Sequence, residues 1–65
     1  MERSTLEAAL TKKQREAGLS LKEVGDDELY LMRGGALLAL FSQYGATVVS
    51  IREEADRWIS RSKNL

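Results

Sequence analysis

The spacing of apolar residues predicts a helix at each end of the chain and extended segments between them. Between about residues 5 and 17, helical spacing places Leu6, Ala9, Leu10, Lys13 and Ala17 on one face, which predicts an amphipathic helix with a thin apolar face. Ser4 followed by Glu7 matches a capping box, so we expect this helix to begin near Thr5. Gly18 suits the position after its end, where a left-handed backbone favours glycine.

The centre of the chain predicts three strands. Residues 20–24 form a short extended segment that ends at the turn sequence Gly25-Asp26-Asp27. Residues 28–33 and 36–41 flank Gly34-Gly35, which indicates a hairpin with a two-residue type I′ turn and positive φ at both glycines. A helix through this region would contain two adjacent glycines, at a cost of about 1 kcal/mol each.

A second helix is predicted from about residue 48 to 61, after a loop over 42–46 and a cap at Thr47. Glu53 and Arg57 on its polar side are spaced for an i,i+4 ion pair. Its apolar face contains Val48, Ile51, Ala55, Trp58 and Ile59. We therefore expect a single small α+β domain in the order α-β-β-β-α, a three-stranded antiparallel meander with both helices packed on one face.

A regular hairpin gives this sheet two apolar faces. If Arg33 pairs with Ala36 and the strands continue without irregularity, one face carries four leucines, Leu29, Leu31, Leu38 and Leu40. The other face carries Tyr30, Met32, Leu37, Ala39 and Phe41. A sheet with one face in water normally alternates apolar with polar residues, so the second face is expected to be covered.

We predict that this second face is an interface formed by Tyr30, Met32, Leu37, Ala39 and Phe41. Domains of about 60 residues bury a small share of their surface and often rely on disulfides, metals or oligomerisation. The chain has no cysteine, and a homodimer is favoured over another protein partner because two-fold dimers are the commonest assembly. In the alternative, the helices cover one face each and close a monomeric core.

Two details of the sheet stay open in the sequence. A three-residue turn after the first strand puts Leu19 and Leu21 on the leucine face, whereas a two-residue turn adds them to the second face. The free edge of the sheet offers another route to association, because an extended segment of a partner can pair with it.

Composition narrows the class of protein. The 65 residues contain 10 basic and 10 acidic side chains, and 43% are hydrophobic, which is typical of a globular domain and not of a disordered tail. The longest apolar run has six residues, over 36–41, whereas a membrane-spanning helix needs about 20. Glu2 and Arg3 follow Met1, so we expect no signal peptide, no contact with membranes and a cytoplasmic location.

The side chains offer little for catalysis. Without His or Cys the chain lacks the commonest general base, metal ligand and nucleophile, so we predict a non-enzymatic protein without metal or cofactor. Consecutive residues in a turn diverge, so the acidic cluster Asp26-Asp27-Glu28 is interpreted as solvated. Ser42, Tyr44 and Thr47 have hydroxyls but no base to activate them, and Trp58 is expected in the core.

Nucleic-acid binding is the alternative hypothesis. The predicted order of elements, over most of the chain, resembles that of double-stranded RNA-binding domains, a resemblance that implies phosphate contacts from the start of the last helix. That region contains Arg52 but also Glu53 and Glu54, and the pI is about 6.2, so nucleic acid is not the expected partner. The hypothesis depends on basic residues near the helix ends: Lys12, Lys13, Arg15, Arg57, Arg61 and Lys63.

Overall fold

The protein is an α+β domain in which three helices accompany one antiparallel sheet. The structure is a computed structural model that describes residues 2–63, with side chains through residue 61. The strands follow one another in the sheet in the order β1-β2-β3, so the predicted fold class and meander are confirmed. The elements are α1 (Arg3–Ala8), α2 (Lys12–Glu16), β1 (Leu19–Val24), β2 (Glu28–Arg33), β3 (Ala36–Ser42) and α3 (Val48–Lys63).

The predicted first helix is in fact two short helices, because the backbone becomes extended at Thr11. The Thr11 N–H donates to Gln14 Oε1 at 2.9 Å, and the Gln14 N–H donates to Thr11 Oγ1 at 3.2 Å. This reciprocal pair is a capping box that starts α2. The predicted cap at Ser4 is wrong, since α1 begins at Arg3 after an extended Glu2 and has no side-chain cap.

Two arginines and one glycine hold the ends of the short helices. Gly18 follows α2 with φ +92°, as predicted for the residue after a helix end. The Arg15 guanidinium donates to the carbonyls of Glu7 and Leu10, and Arg52 Nη2 donates to the Ala8 carbonyl at 2.7 Å. These bonds satisfy carbonyls that the end of α1 would otherwise leave without partners.

The two turns of the meander fix which side chains share a face. Val24 pairs with Glu28 across three turn residues, and this register places Leu19 and Leu21 on the face that packs into the core. The second turn has two residues, as predicted, because Arg33 pairs with Ala36. Only Gly34, at +58°, has positive φ in that turn, so the predicted type I′ is wrong and the signs match type II′.

Helix α3 forms as the sequence predicts. Thr47 Oγ1 accepts from the Ser50 N–H and Ser50 Oγ accepts from the Thr47 N–H, each at 3.0 Å, which confirms Thr47 as the cap. Arg57 pairs with Glu54 at 2.9 Å in place of the predicted Glu53. The predicted apolar face lies against the core, with Ile51 and Ala55 fully buried and Val48, Trp58 and Ile59 packed around them.

The helices lie on one side of the sheet. The buried cluster joins both layers and contains Ala9, Leu10, Leu19, Leu29, Leu31, Ile51 and Ala55. Leu29 and Leu31 come from the same face of β2 and are completely buried beneath the helices. The arrangement with one helix on each face of the sheet is therefore wrong.

A buried amide connects α2 to α3. Gln14 is 3% exposed. Its Nε2 donates to the Arg52 carbonyl at 3.2 Å and to Asp56 Oδ1 at 2.9 Å, while its Oε1 accepts from Thr11. Each polar atom of this side chain has a partner, as buried polar groups require.

The open face of the sheet as candidate functional site

An additional residue interrupts the pairing of β2 with β3. Met32 pairs with Leu37, but Leu31 pairs with Ala39, so Leu38 is a β-bulge. Beyond this point the side chains of β3 point to the faces opposite to those that a regular hairpin predicts. The predicted pairs Leu31 with Leu38, Tyr30 with Ala39 and Leu29 with Leu40 are therefore wrong.

The bulge corrects the predicted interface at three positions. Ala39 pairs with Leu31 and Phe41 pairs with Leu29, and both Ala39 and Phe41 pack against the core. Leu40, predicted on the leucine face, instead pairs with Tyr30 and is 58% exposed. Sequence reasoning missed Leu40 because no residue in β3 signals the bulge.

We call the side of the sheet that carries no helix the open face, and its four large apolar residues the apolar block. Leu37 is 49% exposed and Leu40 is more exposed still, while Tyr30 and Met32 are half-buried. Tyr30, Met32 and Leu37 were predicted there. The apolar block thus consists of Tyr30, Met32, Leu37 and Leu40.

Polar residues border the apolar block on the β1 side. Ser20 lies beside Met32, and Lys22 lies beside Tyr30. At one end of the face, Glu28 pairs with Ser42. On the remaining side the block reaches β3, an edge strand without a charged residue in its seven positions. Its bulge limits regular pairing with another strand, since bulges commonly protect sheet edges.

Tyr30 is oriented along the sheet by Glu28. Its hydroxyl donates to Glu28 Oε2 at 3.2 Å. This hydrogen bond, partial desolvation and the negative charge of Glu28 raise the pKa of Tyr30 above its usual range. The phenol is therefore neutral near pH 7, and its aromatic ring forms part of the exposed apolar surface.

The other side chains that the sequence offered for metal binding or catalysis lie exposed or make structural contacts. Asp26 and Asp27 are exposed in the first turn, and residues 2–63 contain no group of three or more His, Cys, Asp or Glu side chains that could hold a metal ion. The Thr47 hydroxyl caps α3, and Ser42 Oγ accepts from the Tyr44 N–H at 3.2 Å. Trp58 packs against the core as predicted, with the Arg61 guanidinium 4.8 Å from its ring centre.

Several cations named in the nucleic-acid hypothesis contact groups of the chain itself. Arg15 donates to the α1 carbonyls described above, Arg57 pairs with Glu54, and Arg61 stacks on Trp58. Lys12 lies 4.0 Å from a carboxylate oxygen of Glu16. The side chain of Lys63 lies outside the described part of the chain. No arrangement of the described residues favours this hypothesis over association through the open face.

The comparisons with known proteins identify no relative. The chain matches no protein-family model, and no curated protein or solved structure is similar to it at a significant level. Within residues 2–63, no helix combines the length and the apolar character needed to cross a membrane.

Proposed function

We propose that this chain is a non-catalytic association module that forms a homodimer by packing the open face of one copy against that of another. The observation that carries the proposal is the apolar block on a side of the sheet that the helices leave uncovered. Burial of exposed apolar surface contributes about 25 cal/mol per Å². Leu37 and Leu40 are the most exposed residues of the apolar block.

The layout of the apolar block suits a second copy. Its residues form two cross-strand pairs between β2 and β3, Tyr30 with Leu40 and Met32 with Leu37. A suitable two-fold axis runs parallel to the strands and passes between β2 and β3. Rotation about it lays each β2 side chain of one copy over its β3 pairing partner in the other copy. Lys22 of β1 then stays at the rim, where polar and charged residues are common in interfaces.

The size of the face sets the expected affinity. The two strands that face the other copy, of about six residues each, span roughly 20 Å by 10 Å. This area is well below the roughly 800 Å² per partner that a stable complex typically buries. We therefore expect a dimer that dissociates on dilution in the micromolar range.

The test replaces exposed residues of the apolar block by charges. The dimer of wild-type chains should have twice the 7.3 kDa mass of one chain in sedimentation equilibrium at high concentration. Leu37→Asp and Leu40→Asp should each give monomers, since an aspartate at either position would be desolvated in the dimer. Both residues are exposed, so both variants should keep the wild-type circular dichroism spectrum.

The matched control is Val49→Asp. Val49 is also an exposed apolar residue, at 64%, but it lies on α3, which packs on the other side of the sheet. This variant should dimerise like the wild type. Dimers that persist in both leucine variants would contradict the proposal. A wild-type monomer at millimolar concentration would also contradict it, and would leave the open face to a protein of different sequence.

A further inference from the structure

A groove runs along the other edge of the sheet, between β1 and α1. It is open to solvent and has a volume of about 430 Å³. Its more deeply buried lining is apolar and consists of Leu6, Leu10, Leu19 and Leu21, whereas its exposed lining residues are Arg3, Glu7, Arg15, Ser20 and Glu23. This surface is separate from the apolar block and takes no part in the proposed dimer.

One wall of the groove is the free edge of a strand. The consecutive residues Leu19, Ser20 and Leu21 line it, and among the described strands β1 pairs only with β2. In an antiparallel strand, every second residue directs its N–H and C=O away from the paired neighbour. Among the described residues, no backbone hydrogen bond from outside the sheet reaches 19–24. The outward groups of β1 are therefore available to another strand.

The opposite wall is held in place before any partner arrives. Arg15 binds the carbonyls of Glu7 and Leu10, and Arg52 binds the Ala8 carbonyl. These contacts tie α1 to both α2 and α3. A groove whose walls are already fixed requires little ordering on binding, which favours affinity.

We propose that this groove binds an extended segment of another protein, which joins the sheet as a fourth strand beside β1. Strand addition uses the free backbone groups for affinity and alternate side chains for specificity. The register of β1 places Leu19 and Leu21 on the groove side and Lys22 on the open face. Every second side chain of the incoming segment therefore contacts the leucines and is apolar.

Charge complementarity identifies the remaining side chains of the segment. Lys22 is exposed and belongs to neither ion pair of the described residues. A carboxylate directly across from it on the added strand is favourable, whereas a second cation there is unfavourable. The segment thus carries an acidic residue opposite Lys22, between apolar residues that face the leucines. Among the described residues no strand has an acidic residue between two apolar ones, so a second copy is not the occupant.

The first experiment measures binding of a blocked peptide in which valine and glutamate alternate. Titration into the labelled protein should shift the backbone amide signals of 19–24. Two further peptides carry N-methyl groups on the valine amides or on the glutamate amides. Since only one set of amides faces β1, one methylated peptide should lose binding by about tenfold or more, and the other should retain it. The proposal would be overturned if the two methylated peptides bound equally well. It would also be overturned if the unmethylated peptide did not bind at millimolar concentration.

The second experiment exchanges the charge at Lys22. Lys22→Glu should weaken binding of the glutamate peptide by about three- to tenfold and favour a matched peptide that alternates valine with lysine. Lys13→Glu is the control, because it makes the same charge change at an exposed position of α2 outside the groove. If Lys22→Glu and Lys13→Glu change the affinity for the two peptides alike, Lys22 does not face the peptide. The proposed placement of the glutamate side chains on the open face is then wrong.

Discussion

The two faces of the sheet carry similar apolar residues and have opposite surroundings. Leu31 is completely buried, while Leu37, one strand away, exposes half of its side chain. The difference lies in β1, which contributes Leu19 and Leu21 to the core face but Ser20 and Lys22 to the open face. An apolar surface that extends across all three strands holds the helices. The apolar block extends across two strands, and the described helices leave it uncovered.

The strongest test of this contrast places a charge on each face. Leu31→Asp puts a carboxylate among fully buried side chains. An unpaired buried charge costs several kcal/mol, comparable with the whole stability of a small domain, about 5 kcal/mol. We expect the variant to be unfolded by circular dichroism, whereas Leu37→Asp stays folded. A wild-type unfolding midpoint for Leu31→Asp would mean that the core is elsewhere.

A smaller effect distinguishes the bulged register from a regular one. Phe41 and Leu40 are neighbours in β3 and lie on opposite faces. Phe41→Ala should lower the free energy of unfolding by about 2 kcal/mol, less than for a completely buried ring. Leu40→Ala should change it by about 0.5 kcal/mol or less. Urea denaturation is measured in a Leu37→Asp background, so that dimerisation does not contribute to the free energy of unfolding. A larger loss of stability for Leu40→Ala than for Phe41→Ala would indicate that β2 and β3 pair without a bulge.

The smallest effect is the titration of Tyr30 on the open face. Glu28 raises the pKa of Tyr30 in the folded protein. The protonated tyrosine therefore stabilises the fold fully at pH values below the pKa of Tyr30 in the unfolded chain. This stabilisation of the fold is lost as the pH rises through the higher pKa of the folded protein. Glu28→Gln should lower the pKa of Tyr30, measured by phenolate absorbance in a Tyr44→Phe background. Glu23→Gln, on the other face of β1, is the control and should leave it unchanged. If the pKa of Tyr30 in the Glu28→Gln variant equals that of the wild type, the hydrogen bond between Tyr30 and Glu28 does not exist in solution.

Much of the fold could be predicted from the sequence because its boundaries have local signals. Glycines mark the end of α2 and both turns, and Thr47 marks the start of α3. The bulge has no such signal. Residues 36–41 are all apolar, so no polar side chain indicates which positions of β3 face water, and a one-residue change of register leaves the pattern unchanged. For this reason three members of the apolar block were predicted and Leu40 was not.

The break in the first helix was visible in the sequence but ambiguous. Two sets of residues match a capping box, Ser4 with Glu7 and Thr11 with Gln14. The second forms because Gln14 also reaches Arg52 and Asp56 on α3. Those contacts join residues that are 38 and 42 positions apart, and no local pattern contains such information.

The buried amide of Gln14 also governs how the domain can open. Helices α1 and α2 have six and five residues, too short to persist alone. Both are fastened to one stretch of α3, through Gln14 to Arg52 and Asp56 and through Arg52 to Ala8. We therefore expect the segment before β1 to be released as one cooperative unit in local unfolding. That release would remove the α1 wall of the groove, so the contacts of Gln14, Arg15 and Arg52 would also set how often the proposed binding edge is complete.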